Sequence, residues 1–335
     1  MRKLATIQKI KDLQPIEGAD KIEKATVLGW QLVVKKEDFK AGDYCVYCEI
    51  DSVLPEKPEF EFLRPRKFRI KTVKLRGQIS QGIAFPINIL KEYEKVEIKE
   101  GFDVSDIIGV KKYEPPPTVM MSGKVKGSFP GFIPKTDEMR IQSVPDVLTR
   151  PENQGKRCYI TEKVDGTSAT YYIRDGEFGV CSRNRELHDT ENNIHWMVVK
   201  QYDIEGTLRK LNRNIAIQGE ILGPKIQSNK YQLPKHKVLV YSIFDIDQYA
   251  YLNYEDFIAL AENANFETVP IIRDDYILGH DDVNGLVLLS EAKSLLNPEL
   301  PREGIVIRPV IEAQDPELGR LSFKVVNPEF LLKYE

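Results

Sequence analysis

The stretch Lys163-Val164-Asp165-Gly166-Thr167 comes at the end of the alternating run that begins Tyr159-Ile160-Thr161, and together they predict a strand that ends in a tight turn. Side chains two residues apart on a strand point to the same side, so Lys163 and Asp165 are expected to face one pocket. Gly166 allows the backbone to turn close to a ligand. A lysine amine attacks phosphorus or carbonyl carbon only when burial, a metal or a neighbouring charge activates it. The alternative is an ion pair in a hairpin, which contributes little energy.

Two further carboxylates accompany this stretch. Glu220 and Glu303 each lie beside a glycine in a segment rich in β-branched residues, a pattern typical of strand ends that a ligand can approach closely. With Asp165 they supply three hard oxygen ligands, which suit Mg²⁺ or Mn²⁺ held partly through water. The sequence therefore predicts a metal site formed by Asp165, Glu220 and Glu303 near Lys163. The alternative is three solvated acids at strand termini.

Five segments downstream of Lys163 occur in a fixed order: Ser182–Leu187, Ile217–Gly223, Tyr241–Ile246, Arg302–Arg308 and Leu321–Val326. Together with the Lys-x-Asp-Gly element, they resemble motifs I, Ia, III, IIIa, IV and V of the covalent nucleotidyltransferase superfamily. That superfamily contains ATP-dependent polynucleotide ligases and mRNA capping enzymes. The resemblance extends from about Ile141 to the end of the chain.

The resemblance implies that Lys163 is the catalytic nucleophile and that ATP is the nucleotide. It also implies a set of ATP or AMP contacts, namely Glu162, Thr167, Phe244, Lys324 and Arg140. In the family an aromatic residue at the position of Phe244 stacks on adenine, and the alternative for Phe244 is packing in the core. The lysine of motif V, here Lys324, contacts the α-phosphate, where a cation offsets developing charge. Many relatives carry a second lysine two residues earlier, where this chain has Ser322.

Composition is that of a globular protein. The 335 residues carry a net charge of −3, with 30% charged and 41% hydrophobic residues, and the length suits two domains. The sequence contains neither an apolar run long enough for a bilayer nor a signal-peptide pattern, so a cytoplasmic location without membrane association is expected. Nothing in the pattern indicates an obligate protein partner. Cys45 and Cys48 are expected to be reduced and structural, because a second Cys-x-x-Cys is missing from the sequence.

An N-terminal module is indicated by short strands and turn signals between Leu4 and Ile87, a spacing that resembles an OB-fold. Within it, the stretch Arg64–Arg76 carries seven basic residues and no acidic one. The alternation from Phe68 to Leu75 predicts a strand with basic side chains on its outer face. A local basic strip can follow phosphates although the molecule is slightly acidic. The predicted nucleic-acid contacts in it are Arg69, Lys71 and Lys74, and the alternative is a solvated strand face.

The predicted fold is α+β. An OB-like β-barrel for nucleic acid is expected over residues 1–112, followed by a linker and lead-in segment over residues 113–140 that includes Pro115–Pro117 and the Gly/Ser/Pro-rich stretch Ser122–Gly131. Residues 141–335 are expected to form an ATP-grasp-like, ligase/capping-type nucleotidyltransferase domain of antiparallel sheets with flanking helices. Helical periodicity predicts two helices, over Thr190–Leu211 and Asn253–Asn263.

The domain order favours RNA ligation. DNA ligases and capping enzymes of the superfamily place an OB domain after motif V, whereas here eleven residues follow Lys324 and the OB-like module comes first. The Ser-Arg-Asn element at Arg183 and the lead-in Lys135-Thr-Asp-Glu-x-Arg-x-Gln142 closely resemble the RNA ligase family related to the Deinococcus radiodurans and Naegleria enzymes. That resemblance implies Arg183 as a candidate contact to the strand end, and a nicked duplex with RNA on the 3′-hydroxyl side as substrate. The alternatives are a DNA ligase, a capping-type nucleotidyltransferase, or a non-catalytic RNA-binding module.

Overall fold

A computed structural model describes residues 3–93, 96–114 and 125–334, and the chain divides into two compact units. The first unit consists of Met1–Pro116, Arg140–Asp146 and Pro328–Glu335, and the second of Pro117–Met139 and Val147–Asn327. The observed division is thus discontinuous, whereas the sequence predicted consecutive domains. Of the predicted linker, the Pro115–Pro117 run and residues 122–124 lie outside the described residues.

The strands are named in chain order. They are β1 (Ala5–Pro15), β2 (Ile22–Val27), β3 (Trp30–Lys35), β4 (Tyr44–Cys48), β5 (Ser52–Val53), β6 (Val73–Leu75), β7 (Gln78–Ser80), β8 (Ile83–Pro86), β9 (Lys111–Lys112), β10 (Val125–Ser128), β11 (Met139–Arg140), β12 (Arg157–Lys163), β13 (Thr167–Arg174), β14 (Glu177–Ser182), β15 (Arg185–Leu187), β16 (Ile215–Leu222), β17 (Lys237–Asp245), β18 (Ala250–Tyr251), β19 (Ile271–Ile277), β20 (Gly304–Pro309), β21 (Gln314–Asp315), β22 (Gly319–Arg320) and β23 (Phe323–Val326). The α-helices are α1 (Ser105–Ile108), α2 (Ile194–Tyr202), α3 (Ile204–Lys210), α4 (Tyr254–Asn263), α5 (Val283–Ser290) and α6 (Pro328–Tyr334).

The first unit contains an antiparallel sheet with the order β3-β2-β1-β4-β8. Its inner face is apolar, with Trp30 and Tyr47 among the largest fully buried side chains. The C-terminal helix α6 also belongs to this unit, because Leu331 packs against the same core. Cys45 and Cys48 are buried and free on β4, and burial raises the pKa of Cys45 to about 12, which keeps its thiol protonated. They are therefore core residues.

The strand predicted over Phe68–Leu75 is wrong for most of its length. A 3-10 helix occupies Pro58–Arg66, and only β6 at the end of the basic stretch is a strand. Lys67 and Phe68 adopt left-handed conformations, which interrupt the extended backbone where the strand was predicted to begin. The expected alternation survives in burial, since Phe68, Ile70 and Thr72 point into the core.

The second unit is built on two sheets. The larger has the order β10-β15-β14-β13-β16-β17-β18, and the other includes β23, β20, β12 and β19 in that order, which confirms the predicted antiparallel architecture. The helix expected over Thr190–Leu211 is interrupted, because Asp203 adopts a left-handed conformation between α2 and α3. The second predicted helix is confirmed as α4. Among the helices of residues 3–93, 96–114 and 125–334, none is long and apolar enough to cross a membrane.

Strand register brings the sequence motifs together. Lys163, the last residue of β12, pairs with Gly304 at the start of β20, so Glu303 lies beside it. Ser168 on β13 pairs with Glu220 on β16. Gly166 lies between these two regions, where a Cβ atom would approach the carbonyl oxygen of Ile221 to 2.4 Å. A glycine is required there because the backbone passes against β16, and this close passage sets the motif lysine next to the strand that carries Glu220.

Candidate active site

The second unit contains a cavity of about 280 Å³ at the point where its two sheets meet the Lys163 segment. Six of the residues predicted for the site line it: Glu162, Lys163, Thr167, Arg183, Glu220 and Lys324. They come from segments up to about half the chain apart, and both sheets contribute. The cavity is therefore where the sequence motifs converge.

Lys163 ends β12 with its amine at the cavity, one quarter of its side chain remaining exposed. Its Nζ donates to Oε1 of Glu303 at 2.6 Å. Burial lowers the pKa of Lys163, but the charges of Glu303, Glu220 and Asp165 together outweigh burial and raise it. The amine is therefore held as an ammonium group in this state, and it becomes a nucleophile only when these negative charges are neutralised by something else.

The Asp165 carboxylate forms an ion pair with Lys230, and both side chains are 15% exposed. The backbone amide of Asp165 donates to the hydroxyl of Tyr231 at 2.9 Å. Lys230 and Tyr231 were not predicted from the sequence, because they lie outside the recognisable motifs. Asp165 is thus near Lys163, as expected, but its carboxylate is neutralised by a second lysine.

The carboxylates of Glu220, Glu303 and Asp165 repel one another as like charges. Burial raises the pKa of Glu220 to about 8, Lys163 opposes this effect, and the carboxylates of Glu303 and Asp165 add to it. Burial also raises the pKa of Glu303. Its Oε2 atom is buried without a hydrogen-bond partner among the described residues. A concentration of acceptor oxygens with unsatisfied charge fits a divalent cation.

The three carboxylates do not form a closed cage. Within the part of the chain that the structure describes, no three His, Cys, Asp or Glu side chains converge closely enough to hold an ion directly. Lys163 and Lys230 approach the Glu303 and Asp165 carboxylates instead. The site thus fits a cation held through water. Without a cation, the ammonium groups of Lys163 and Lys230 balance the negative charge of the acids.

A buried cluster on another wall of the cavity was missed by the sequence. Arg308, on β20, donates to Oε1 of Glu138 at 2.6 Å and to Oγ of Ser322 at 3.1 Å. Burial raises the pKa of Glu138, but Arg308 and then Lys324 outweigh burial and lower it, so the carboxylate stays ionised. Ser322, which replaces a second motif V lysine, thereby contacts Arg308, and Lys324 lines the cavity. A buried arginine within an apolar strand was the signal that could have revealed this cluster.

Arg183 lines the cavity from the turn between β14 and β15, with half of its side chain exposed. It forms an ion pair with Asp137 of the lead-in segment. Burial lowers the pKa of Arg183, but the charge of Asp137 and its hydrogen bond outweigh burial and raise it. A positive charge that remains partly solvated at the edge of a cavity suits contact with a phosphate.

Phe244 does not line the cavity. It is 1% exposed and packs with Ala216 and Cys181 in the core, with Tyr251 edge-on at a ring-centroid distance of 5.0 Å. The aromatic residue of β17 that lines the cavity is Tyr241. Residues three apart on a strand point to opposite faces, so only one of the two can reach the site. Phe244 has the core role, which was the alternative considered for it.

Four of the predicted residues belong to the first unit rather than to the cavity. Arg140 and Arg69 both form ion pairs with Asp51 at 2.9 Å, and their side chains are 10% and 13% exposed. Lys74 is exposed and pairs with Glu329 of α6 at 3.1 Å. Lys71 is half-buried. Arg69 is consequently a structural residue of the first unit, in contrast to the outward-facing contact expected of it.

Two domain models match the chain, an OB-fold domain over residues 4–87 and an RNA ligase over residues 156–326. The Naegleria gruberi RNA ligase with pyrophosphate is similar over its whole length, with a TM-score of 0.90, 36% identity and coverage of 100% of this chain and 99% of that one. A mutant of that ligase with ATP and Mn gives a TM-score of 0.89 and 36% identity over 99% of each chain. An apo mutant gives a TM-score of 0.89 and 35% identity, covering 99% of this chain and 98% of that one. No curated protein sequence matches.

The fold and the cavity thus define a nucleotidyltransferase-type ligase, with an OB-fold unit and a catalytic unit that carries a lysine among acids. The chain belongs to the RNA ligase family.

Proposed function

We propose that the protein is an ATP-dependent RNA ligase that seals 3′-hydroxyl/5′-phosphate nicks in duplexes with RNA on the 3′-hydroxyl side. The observation that carries the proposal is the amine of Lys163, which lies in a cavity beside Glu303, Glu220 and Asp165. Support also comes from a solved RNA ligase of 36% identity that contains ATP and Mn.

In the first transfer, Lys163 Nζ forms a bond to the α-phosphorus of ATP, and the bond to the bridging oxygen breaks, so that pyrophosphate leaves. The amine must lose a proton first, and Glu303 Oε1 lies 2.6 Å from Nζ and can accept it. The product is a lysyl-AMP phosphoramidate. Glu303 therefore orders the Lys163 amine in the resting structure and also takes part in the chemistry.

The cofactor of this step is Mg²⁺ or Mn²⁺, and the residues that would hold it are Asp165, Glu220 and Glu303. When bound, the metal offsets charge on the α-phosphate and lowers the pKa of the lysine. The unsatisfied Oε2 of Glu303 and the raised pKa of Glu220 are the features that fit it. These carboxylates also keep the lysine close to the position of attack.

The remaining cavity residues bind the nucleotide. Glu162 Oε1 is buried without a partner among the described residues and can accept a hydrogen bond from ATP, while its Oε2 accepts from the amide of Leu295 at 2.7 Å. Thr167 and Tyr241 supply hydroxyl groups, and Lys324 supplies a positive charge for the α-phosphate. Arg140, which lies outside the cavity and pairs with Asp51, stays a proposed phosphate contact.

Two transfers complete the reaction. An oxygen of the 5′-phosphate attacks the α-phosphorus of lysyl-AMP, the P–N bond breaks, and the Lys163 amine is regenerated. The 3′-hydroxyl then attacks the 5′-phosphate, the strand is joined, and AMP leaves. Arg183, half exposed at the edge of the cavity, is the proposed contact to the strand end.

Two measurements test this function together. The protein is incubated with α-labelled ATP or GTP and Mg²⁺ or Mn²⁺, denatured, and examined for acid-labile covalent label. Nicks with RNA or DNA at each position are then offered for sealing. We expect AMP labelling and sealing that requires RNA on the 3′-hydroxyl side. GMP labelling would indicate a capping-type enzyme, equal sealing of all-DNA nicks a DNA ligase, and the absence of label a binding module.

The half-buried Lys71 and the exposed Lys74 of the basic stretch give a separate prediction. Replacing Lys71 and Lys74 by alanine removes up to two phosphate contacts, which should flatten the dependence of log K on log salt by up to about 1.8 units for a duplex nick. Autoadenylylation should persist, because neither residue lines the cavity. Binding is measured by fluorescence anisotropy across a salt series.

Lys35 and Lys36, which are exposed elsewhere in the same unit, provide the control pair. Arg69 is excluded from this test, since its loss removes an ion pair from the half-buried Asp51 and confuses folding with binding. An unchanged salt slope and nick affinity in the folded Lys71/Lys74 variant would show that the stretch is only a solvated face.

A further inference from the structure

The loop of residues 223–236, between β16 and β17, has an unusual backbone. Five of its non-glycine residues adopt left-handed conformations: Lys225, Gln227, Ser228, Asn229 and Gln232. Such conformations are costly for residues with a side chain, and they persist only where the surrounding structure enforces them. The surrounding structure therefore fixes the conformation of this loop.

Several contacts enforce that conformation. Asn229 exchanges hydrogen bonds with the backbone of Leu233, at 3.0 Å and 3.1 Å. The ring of His236 contacts the carbonyl of Pro224 at 2.9 Å, which closes the base of the loop. Tyr231 is buried among Val164, Leu222, Leu239 and Val269. The loop is thus anchored on both sides of Lys230, and its backbone is fixed before any ligand arrives.

The loop meets the active site at the turn that follows Lys163. Gln227 donates to the carbonyl of Gly166 at 3.4 Å, and the Tyr231 hydroxyl accepts from the amide of Asp165 at 2.9 Å. Between these two contacts, Lys230 forms its ion pair with the Asp165 carboxylate. Neither Asp165 nor Lys230 lines the cavity, whereas Gln227 and Gly166 do. The loop therefore holds the Asp165 carboxylate in its ion pair, beside the turn that lines the cavity.

We infer that Lys230 is a positioning residue that occupies the Asp165 carboxylate in the metal-free protein and is displaced when a divalent cation binds. The inference rests on the proposed function, since it assumes that Asp165 helps to hold the metal. A carboxylate neutralised at short range by an ammonium group is a weaker ligand for a cation. Lys230 thus sets the metal concentration at which the site assembles, and it keeps Asp165 ordered until then.

The same contact also prevents a less favourable resting state. Lys163 faces all three carboxylates, and the charges of Arg183 and Lys324 also act on Glu220 and Glu303, respectively. Because Asp165 pairs with Lys230, the excess negative charge without Lys230 would fall chiefly on Asp165. Lys230 balances one of these charges from outside the cavity. Its removal should consequently strengthen the attraction for a divalent cation, whereas removal of a metal-binding carboxylate should weaken it.

The first test measures Mn²⁺ binding without ATP, by the loss of the free-ion electron paramagnetic resonance signal. The relevant site is the one that disappears in Glu303→Gln. We expect Lys230→Met to bind Mn²⁺ about tenfold more tightly at this site, which corresponds to about 1.4 kcal/mol. Lys230→Arg, which keeps the charge, should stay close to wild type, and so should Lys235→Met, which replaces an exposed lysine of the same loop.

The outcomes separate this inference from the proposed function. An unchanged dissociation constant in Lys230→Met overturns the role of Lys230 alone. A wild-type protein that is labelled by ATP but lacks a Glu303-dependent Mn²⁺ site overturns it as well. A protein that binds Mn²⁺ as expected but is not labelled by ATP contradicts the ligase function and leaves the ion-pair exchange supported.

A second test uses the unaltered protein, so that it does not depend on how the variants fold. Lysines are acetylated briefly with and without saturating Mn²⁺, and the modified peptides are quantified by mass spectrometry. We expect Mn²⁺ to increase the acetylation rate of Lys230 severalfold, because the displaced amine loses its ion pair. The rate at Lys235 should be unaffected. Equal modification of Lys230 in both conditions would overturn the exchange.

Discussion

Lys163→Ala is expected to abolish covalent labelling with AMP, lowering its rate by a factor of about 10⁴ or more, because the first transfer then has no nucleophile. The other residues that line the cavity should keep their positions, because the Lys163 side chain is partly exposed and its main contact is the ion pair with Glu303. Labelling is measured with α-labelled ATP under saturating metal. The second half of the reaction provides the control.

The Lys163→Ala variant should still seal a nick that already carries AMP on its 5′-phosphate, because the final transfer needs the site but not the amine. Lys235→Ala, an exposed lysine in the same unit, should label like wild type. If Lys163→Ala retains covalent label, another lysine is the nucleophile, and the mechanism must be rebuilt around that residue.

The sequence motifs predicted that Lys163 and the acids share one site, and the roles of nucleophile and metal ligand stay predictions. Lys163, Glu303 and Glu220 lie within mutual electrostatic reach, as their spacing in motifs implied. The register of β12 with β20 could not be read from the sequence, since it depends on pairing between residues more than a hundred positions apart.

The sequence predicted Phe244 rather than Tyr241 as the aromatic residue of the site, and the difference has a physical explanation. Tyr241 and Phe244 both lie in one alternating strand, and the alternation does not say which face is covered by core and which lines a cavity. β16 and β17 pair through a register shift at Gln218/Gly219, which adds to the uncertainty from sequence. The family pattern favoured Phe244, and the structure gives the cavity to Tyr241.

The residues that the sequence missed share one property, which is that their partners are remote along the chain. Arg308 meets Glu138 across 170 positions and Lys230 meets Asp165 across 65. Arg69 was assigned to nucleic acid because Asp51, its partner, lies outside the basic stretch. Local patterns report the face of a strand, whereas ion pairs depend on tertiary structure.

Glu220→Ala and Glu303→Ala are each expected to lower AMP labelling by at least about a hundredfold, on the scale of losing a charge-stabilising element in a transition state. The negative charges of both acids act on the Lys163 amine, and Glu303 also accepts a hydrogen bond from it. Labelling rates are compared at saturating Mg²⁺ and again at saturating Mn²⁺. Near-normal labelling by either variant would show that the three-carboxylate site is wrong.

The pH dependence gives the sharper form of this prediction for Glu220. Burial raises its pKa to about 8 in the metal-free protein, so below that pH the group is protonated and binds a cation poorly. Affinity for Mn²⁺ should therefore rise with pH up to about 8 in wild type, and this rise should be weaker in Glu220→Gln.

Folding stability should depend on the protonation of the same carboxyl group. A folded-state pKa above the ordinary value means that the folded protein binds more protons, so stability falls as the pH rises from about 4.5 to about 8. Glu220→Gln removes this loss and should stabilise the metal-free protein at pH 8–9 by about 1–2 kcal/mol. Denaturant unfolding without metal measures the difference. Burial and repulsion from the neighbouring carboxylates are what make the ionised Glu220 side chain unfavourable for folding. A Glu220→Gln variant that is less active but no more stable under these conditions would therefore place Glu220 outside this cluster of like charges.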